Sequence, residues 1–322
     1  MQGLDRRNRA TVSVLLADGD SLIRQAFRNA LVNEGYRDIC TFGRISQLRE
    51  IVASTLPDLL VIDTDMPDGD AIALVAEMRN GELGRNPFLP VIFTTWDAGT
   101  DVVRSAVDSG VDLILVKPVS PAQLFARIDS LVAQRKPFVV TADYMGPDRR
   151  EEPGPEEENL FDVPNTLKDK VEGRPIDLAE LFARINAAIR DMNESRLQQV
   201  SVQLACQVEV LSRDFAERKI TKSTKVQLVN IIRSAEDISV RVNGTEFEEL
   251  TGLCDSLLKV ARAVHRKPRK ADPKQVDLLR PLSQSILLSA NPDLNYRLPA
   301  DQISQMVSSY SMRRRSGLLP VG

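Results

Sequence analysis

Residues 61–70 read VIDTDMPDGD. The stretch closes an aliphatic run, DLLVID over 58–63, and stops it on an acid, Asp63. Three further acids, Asp65, Asp68 and Asp70, follow around the turn at Met66-Pro67. A carboxylate at the inner end of a strand that reads as buried must be stabilised by groups from elsewhere in the chain.

On both sides of this stretch, short apolar runs alternate with helical patterns. Strands are expected at 12–17, 38–42, 58–63, 90–95 and 112–116, and helices at about 21–34, 45–54, 70–80, 100–109 and 120–134. Near-continuous aliphatic strands separated by helices indicate a parallel sheet covered on both faces. Five such units predict an α/β, doubly wound, flavodoxin-like domain of strand order 2-1-3-4-5 over residues 11–137, with its working site at the carboxyl ends of the strands.

Those ends carry a pattern. Asp18 follows the first strand in LLADGD, Asp63 ends the third, Thr95 ends the fourth in VIFTT, and Lys117 follows the fifth in LVKPV. A single acid at a strand end is ordinarily a turn or helix-cap residue; four polar groups stopping four strands at one pole form a constellation. Paired acids suit a hard cation such as Mg²⁺, and a hydroxyl and an ammonium beside them suit phosphate oxygens.

Asp18, the run Asp63–Pro67, Thr94-Thr95 and Lys117-Pro118 together resemble the response-regulator receiver domain of two-component systems, over about residues 11–135. The resemblance implies that Asp63 is the phosphoacceptor, Thr95 the switch hydroxyl and Lys117 the phosphate-contacting lysine. It implies Mg²⁺ held by Asp18, Asp63 and the backbone carbonyl of Asp65, a cis Lys117-Pro118 bond, and a histidine kinase or phosphotransfer protein as phosphodonor. Three positions depart from the family pattern. Gly19 replaces the second acid of the pair, with Asp20 one position later as a substitute from a shifted backbone; metal affinity is expected to be weakened. Trp96 stands where a small residue is usual and is expected to lid the site. Ile114 replaces the aromatic residue usually coupled to the switch hydroxyl.

The rest of the chain differs in character. Lys/Arg and Asp/Glu number 15 and 18 in residues 1–140, 5 and 12 in 141–180, and 22 and 15 in 181–322, so an acidic front and hinge precede a basic back end. Residues 141–175, rich in Pro, Gly and acids, read as a disordered acidic linker, with the island YMGPDRR as a docking tag or as part of it. From 176 to 315 the pattern is helical, an all-α output or interaction domain. Capping boxes are expected at Asp177–Glu180 and Thr245–Glu248, apolar stripes from Leu178 to Met192, Leu197 to Phe215 and Leu228 to Val242, and shorter helices near 274–289 and 300–312. The seam Phe247, Leu250, Cys254, Leu257, Ala261 and Val264 either packs within a bundle or forms a homodimeric coiled coil.

The output is expected to bind protein rather than catalyse. His265 is the one histidine and precedes a helix stop, which suits a C-terminal helix cation rather than a phosphotransfer residue. KITKSTK (219–225), HRKPRK (265–270) and RRR (313–315) are basic, but without interleaved aromatics a nucleic-acid partner is disfavoured. Three widely spaced cysteines and no long apolar run indicate a cytoplasmic protein without a membrane span. Two alternatives to phosphorelay signalling stand: a phosphorylation-independent pseudo-receiver scaffold and a DNA-binding transcriptional regulator.

Overall fold

The computed structural model describes residues 6–150, 160–243 and 245–292. It divides into two compact units, residues 1–192 and 193–322.

In the first unit, β1 (Ser13–Ala17), β2 (Asp38–Phe42), β3 (Leu59–Asp63), β4 (Val91–Thr95) and β5 (Leu113–Val116) form a parallel sheet of order β2-β1-β3-β4-β5, the predicted topology. A short helix, α1 (Arg6–Arg9), precedes it. Between the strands run α2 (Ser21–Asn33), α3 (Ile45–Ser54), α4 (Ala71–Arg79) and α5 (Thr100–Asp108); α6 (Pro121–Gln134) follows β5. Alternate strand residues feed two cores, as the pleat requires. Leu15, Leu60, Ile62 and Phe93 pack with Leu48, Leu74, Val75 and Ala106 of α3, α4 and α5. Val14, Leu16, Val61 and Ile92 pack with Phe27, Leu31, Leu124 and Ile128 of α2 and α6. Each such aliphatic side chain contributes about 1.5–3 kcal/mol by leaving water.

The helix starts are set locally. Asp20 accepts from the Leu22 and Ile23 amides, Asp70 from those of Ile72 and Ala73, and Ser120 and Gln123 form a capping box with Pro121 in the first turn of α6.

Residues 141–175 depart from the disordered linker expected. β6 (Phe138–Val140) pairs antiparallel with β7 (Met145–Pro147) and β8 (Leu160–Phe161), and α7 (Thr166–Val171) follows. Residues 151–159 lie outside the described residues. Low average hydrophobicity hid a few well-placed apolar groups: Leu167 and Val171 complete the α2/α6 core, and Phe161 and Val163 pack with Phe88, Phe138 and Val140. The YMGPDRR island supplies β7. A side chain at Gly146 would meet Gly110 Cα at 2.6 Å, so the two backbones touch because both residues are glycine. Arg149 donates to the Val111 carbonyl, and Tyr144 Oη donates to Pro147 O at 2.9 Å.

Beneath this small sheet lies a buried ionic knot. Arg79 Nη2 is 2.9 Å from Asp112 Oδ2, and Arg135 Nε is 2.7 Å from Asp112 Oδ1. Arg79 also donates to the carbonyls of Gly110 and Leu89, and both guanidiniums lie over the Phe138 ring.

α8 (Leu178–Ala216) spans the boundary between units, which falls between Met192 and Asn193 rather than near residue 176. Asp177 caps it through the Ala179 amide at 2.7 Å. Leu181, Ile185 and Met192 pack on Phe88 and Phe138, whereas Leu178, expected on that face, is exposed.

The second unit contains the remainder of α8, α9 (Lys222–Val242), α10 (Leu250–Arg266) and α11 (Pro273–Ala290). Contacts between Arg241 and Asn193 and between Thr224 and Asp214 make α9 antiparallel to α8. Contacts of Arg280 with Glu209 and Asn291 with Ser201 do the same for α11. α10 packs against both α9 and α11. Among the described residues these helices form an up-down-up-down four-helix bundle. Leu250, Cys254, Leu257, Ala261 and Val264, the seam of α10, are buried within it, the first of the two arrangements open to them. Phe215 and Phe247 are only partly buried. Thr245 and Glu248 do not cap α10, which begins later, at Leu250, with no side-chain cap; Thr245 Oγ1 instead donates to Val242 O. The helix expected at 300–312 and the RRR cluster lie outside the described residues. Among the described residues the cysteines are free, and no helix is long and apolar enough to cross a membrane.

Candidate functional site

Because the five strands are parallel and in register, their carboxyl ends share one edge of the sheet. Asp18, Asp63, Thr95 and Lys117 are all buried there. Lys117 Nζ donates to Asp18 Oδ2 and Asp63 Oδ2, both at 2.7 Å. Lys117 is fixed at its own backbone by an N–H bond to the Thr95 carbonyl at 2.7 Å and precedes a cis bond to Pro118. Asp18 is held by its amide, which donates to Phe42 O, and its Oδ1 accepts from the Asp20 amide at 2.8 Å. Arg24, which the sequence reading missed, donates to the carbonyls of Asp18 and Gly19; an arginine on the first turn of a helix carries no signal of that role.

One ammonium between two carboxylates leaves a net negative charge in a dry site. Burial pushes the Asp63 carboxyl above its ordinary pKa and Asp18 adds to this, while Lys117 and the Asp65 amide pull the other way. Asp63 Oδ1 is buried without a hydrogen-bond partner, so its lone pairs remain available to an incoming electrophile or cation.

The four acids of the opening stretch have separate tasks. Asp63 is in the site. Asp68 accepts from the Ile45 amide at 2.6 Å and the Ser46 hydroxyl at 2.7 Å, holding the start of α3, and its pKa is lowered chiefly by Ser46. Asp70 caps α4. Asp65 lies beside position 19: a Cβ built on Gly19 would sit 3.7 Å from the Asp65 carbonyl oxygen and 3.3 Å from Pro67 Cδ. An acid at position 19 would therefore have started next to that carbonyl. Asp20, the substitute offered by the sequence, is exposed and turns Oδ1 to the amides of α2.

Two carboxylates and a neighbouring carbonyl are an oxygen set that fits Mg²⁺, which retains several waters when few protein ligands are present. The unpartnered Asp63 Oδ1 accords with such an ion. Among the described residues no three His, Cys, Asp or Glu side chains gather to hold a metal.

Trp96 places its ring face 5.7 Å from Lys117 Nζ and is 61% exposed, so one face covers the ammonium and much of the ring meets solvent. Thr95 Oγ1 is engaged locally, donating to Asp97 O at 3.2 Å and accepting from Asp97 N at 3.1 Å. Ile114 pairs with Phe93 across the sheet and packs, partly buried, on the α3–α5 side.

Residues 14–129 form a response regulator receiver domain, the class that this sheet order and these strand-end residues define; the family profile for that domain matches them. Response regulator MprA of Mycobacterium tuberculosis is 29% identical over 127 residues, 39% of this chain and 53% of MprA. Transcriptional regulatory protein PdtaR of the same species is 30% identical over 121 residues, 38% and 57% respectively. The DNA-binding transcriptional regulator NtrC of Escherichia coli is 32% identical over 120 residues, covering 24% of that protein. The chain thus spans little more than half of MprA and PdtaR. Among solved structures, the receiver domain protein from Methanospirillum hungatei aligns over 37% of this chain and 91% of its own, at 21% identity and a TM-score of 0.34.

Proposed function

We propose that the chain is a phosphorylatable response regulator in which Asp63 accepts a phosphoryl group from a histidine kinase or phosphotransfer protein in the cytoplasm. The observation that carries this is Lys117 Nζ, 2.7 Å from the carboxylates of both Asp18 and Asp63. In the transfer a carboxylate oxygen of Asp63 forms a bond to phosphorus as the donor's nitrogen–phosphorus bond breaks, and the donor nitrogen keeps the electron pair. Lys117 exchanges its contact with Asp63 Oδ2 for one with a phosphoryl oxygen. Asp18, Asp63 and the Asp65 carbonyl would hold Mg²⁺, which when bound neutralises phosphoryl charge. Gly19 leaves this set one acid short, so its affinity is reduced.

Thr95 is the switch hydroxyl. To reach a phosphoryl oxygen it must release its two bonds to Asp97, which frees the turn leading into α5. Ile114 takes the place of an aromatic partner, so the signal passes through this turn. Trp96, lying over Lys117, restricts access and slows both charging by small donors and hydrolysis. The helical unit is the output and binds a protein target.

The experiment is incubation with a small phosphodonor and Mg²⁺, read by intact mass. Wild type should gain one phosphoryl mass and Asp63→Asn none; Gly19→Asp should gain it at lower Mg²⁺. The capping role of Asp20 and the loss of the acid at position 19 favour a second reading, a receiver fold kept as an unphosphorylated scaffold. Absence of mass gain in wild type at high Mg²⁺ selects that reading.

A further inference from the structure

The antiparallel arrangement of the bundle gathers two basic stretches that lie 40 residues apart in sequence. α9 and α11 both begin at the end where α8 finishes. The α8–α9 connection and the start of α9 lie there, as does the connection from α10 to α11. Residues 213–226 carry five Lys/Arg against two Asp/Glu, and residues 266–277 again five against two. Lys222, Lys225, Arg266, Arg269 and Lys274 are all exposed. At the opposite end, among the described residues, the charge is acidic: residues 236–255 carry six Asp/Glu and one Arg.

Helix dipoles account for only part of this. Cations favour helix C-termini and anions N-termini. Arg266 at the end of α10, Arg241 in the last turn of α9 and Asp272, the N-cap of α11, obey that rule, but Lys222 and Lys225 open α9 and Lys274 opens α11. Glu236 and Asp237 likewise stand near the C-terminal end of α9. At Lys222, Lys225, Lys274, Glu236 and Asp237 the sign of the charge follows the end of the bundle rather than the polarity of the helix.

We propose that this basic end is the docking surface of the output, and that its partner is an acidic protein surface with apolar side chains interleaved. This rests on reading the helical unit as a protein-binding output. Charge complementarity selects an anionic partner. Two exposed aliphatic residues, Val226 on α9 and Leu278 on α11, stand two turns or less from the same end, and such side chains serve a protein interface but not a phosphate backbone. A second copy docking head to tail would bury only the cross-section of one bundle end, about 400 Å² a side for a bundle some 20 Å across, below what a stable dimer needs.

The test uses the full chain and two labelled probes at 0.1 M salt: a peptide of interleaved Glu and Leu, and a 20-base-pair DNA duplex. The peptide should bind, and binding should weaken tenfold or more in Lys222→Glu/Lys225→Glu/Lys274→Glu and severalfold in Val226→Ser/Leu278→Ser, with helical circular dichroism unchanged. These sites are exposed, so the variants should fold. Failure of the peptide to bind, or tighter binding of the duplex lost in the same triple variant, overturns the proposal. A chain that gains phosphoryl mass but ignores the peptide sinks this inference alone.

Discussion

Lys117 illustrates how one residue can hold a site together. Its ammonium lies between Asp18 and Asp63 with almost no solvent to screen any of the three. Lys117→Met leaves two buried carboxylates facing each other, and unpairing a buried charge costs about 3–5 kcal/mol. Urea denaturation of this variant should show a loss of that order, smaller when combined with Asp63→Asn. The cysteines give a second test. Burial raises the thiol pKa of Cys206 to about 11 and of Cys254 to about 12, while Cys40 is exposed. At pH 8 almost no thiolate forms at the buried pair, and the thiolate is the reactive species. Iodoacetamide should label the native protein once, at Cys40, and the urea-unfolded protein three times, as read by intact mass.

Among the elements, α4 and α5 differ in how firmly they are held. α4 buries Ala71, Leu74, Val75, Met78 and Arg79, whereas Ala106 is the fully buried residue of α5. A helix with so little buried surface moves at low cost, and α5 follows the turn tied down by Thr95. Thr95→Ala should still take up a phosphoryl group but lose the accompanying change in amide exchange across 96–108, measured by mass spectrometry. At the other end of β5, Asp112 accepts from Arg79, Arg135 and the Val91 amide. Asp112→Asn strands two buried guanidiniums, and a loss of about 3 kcal/mol or more is expected in chemical denaturation.

For the molecule as a whole, the extent of the front unit is the main departure from expectation. A receiver ending near residue 137 would lack Phe138, Val140, Leu167, Val171 and Leu181, all of which are buried in cores of the first unit. A fragment of residues 1–137 should therefore unfold at a lower temperature than one of residues 1–192, by ten degrees or more if several buried side chains are lost at about 1.5–3 kcal/mol each. Equal melting temperatures would contradict the packing described.

Local patterning along the chain was enough to specify the sheet. The aliphatic runs ending at Ala17, Asp63 and Thr95 are short and strongly patterned, and the first two lead into helices capped by Asp20 and Asp70, so local physics and burial on both faces agree. It also brought Asp18, Asp63, Thr95 and Lys117 to one edge, because parallel strands align their ends; the side chains that bond one another there are Asp18, Asp63 and Lys117, while the Thr95 hydroxyl bonds Asp97. Three features emerge only from long-range packing. The strands at 138–161 were hidden because a few apolar residues stand among acids and prolines, and composition averages over them. The duty of Asp68 at the start of α3 was hidden because its partners, Ile45 and Ser46, lie more than twenty residues earlier in the chain and meet it only in the fold. The basic end of the bundle was hidden because charge clusters distant along the chain become one surface only when antiparallel helices fold them together.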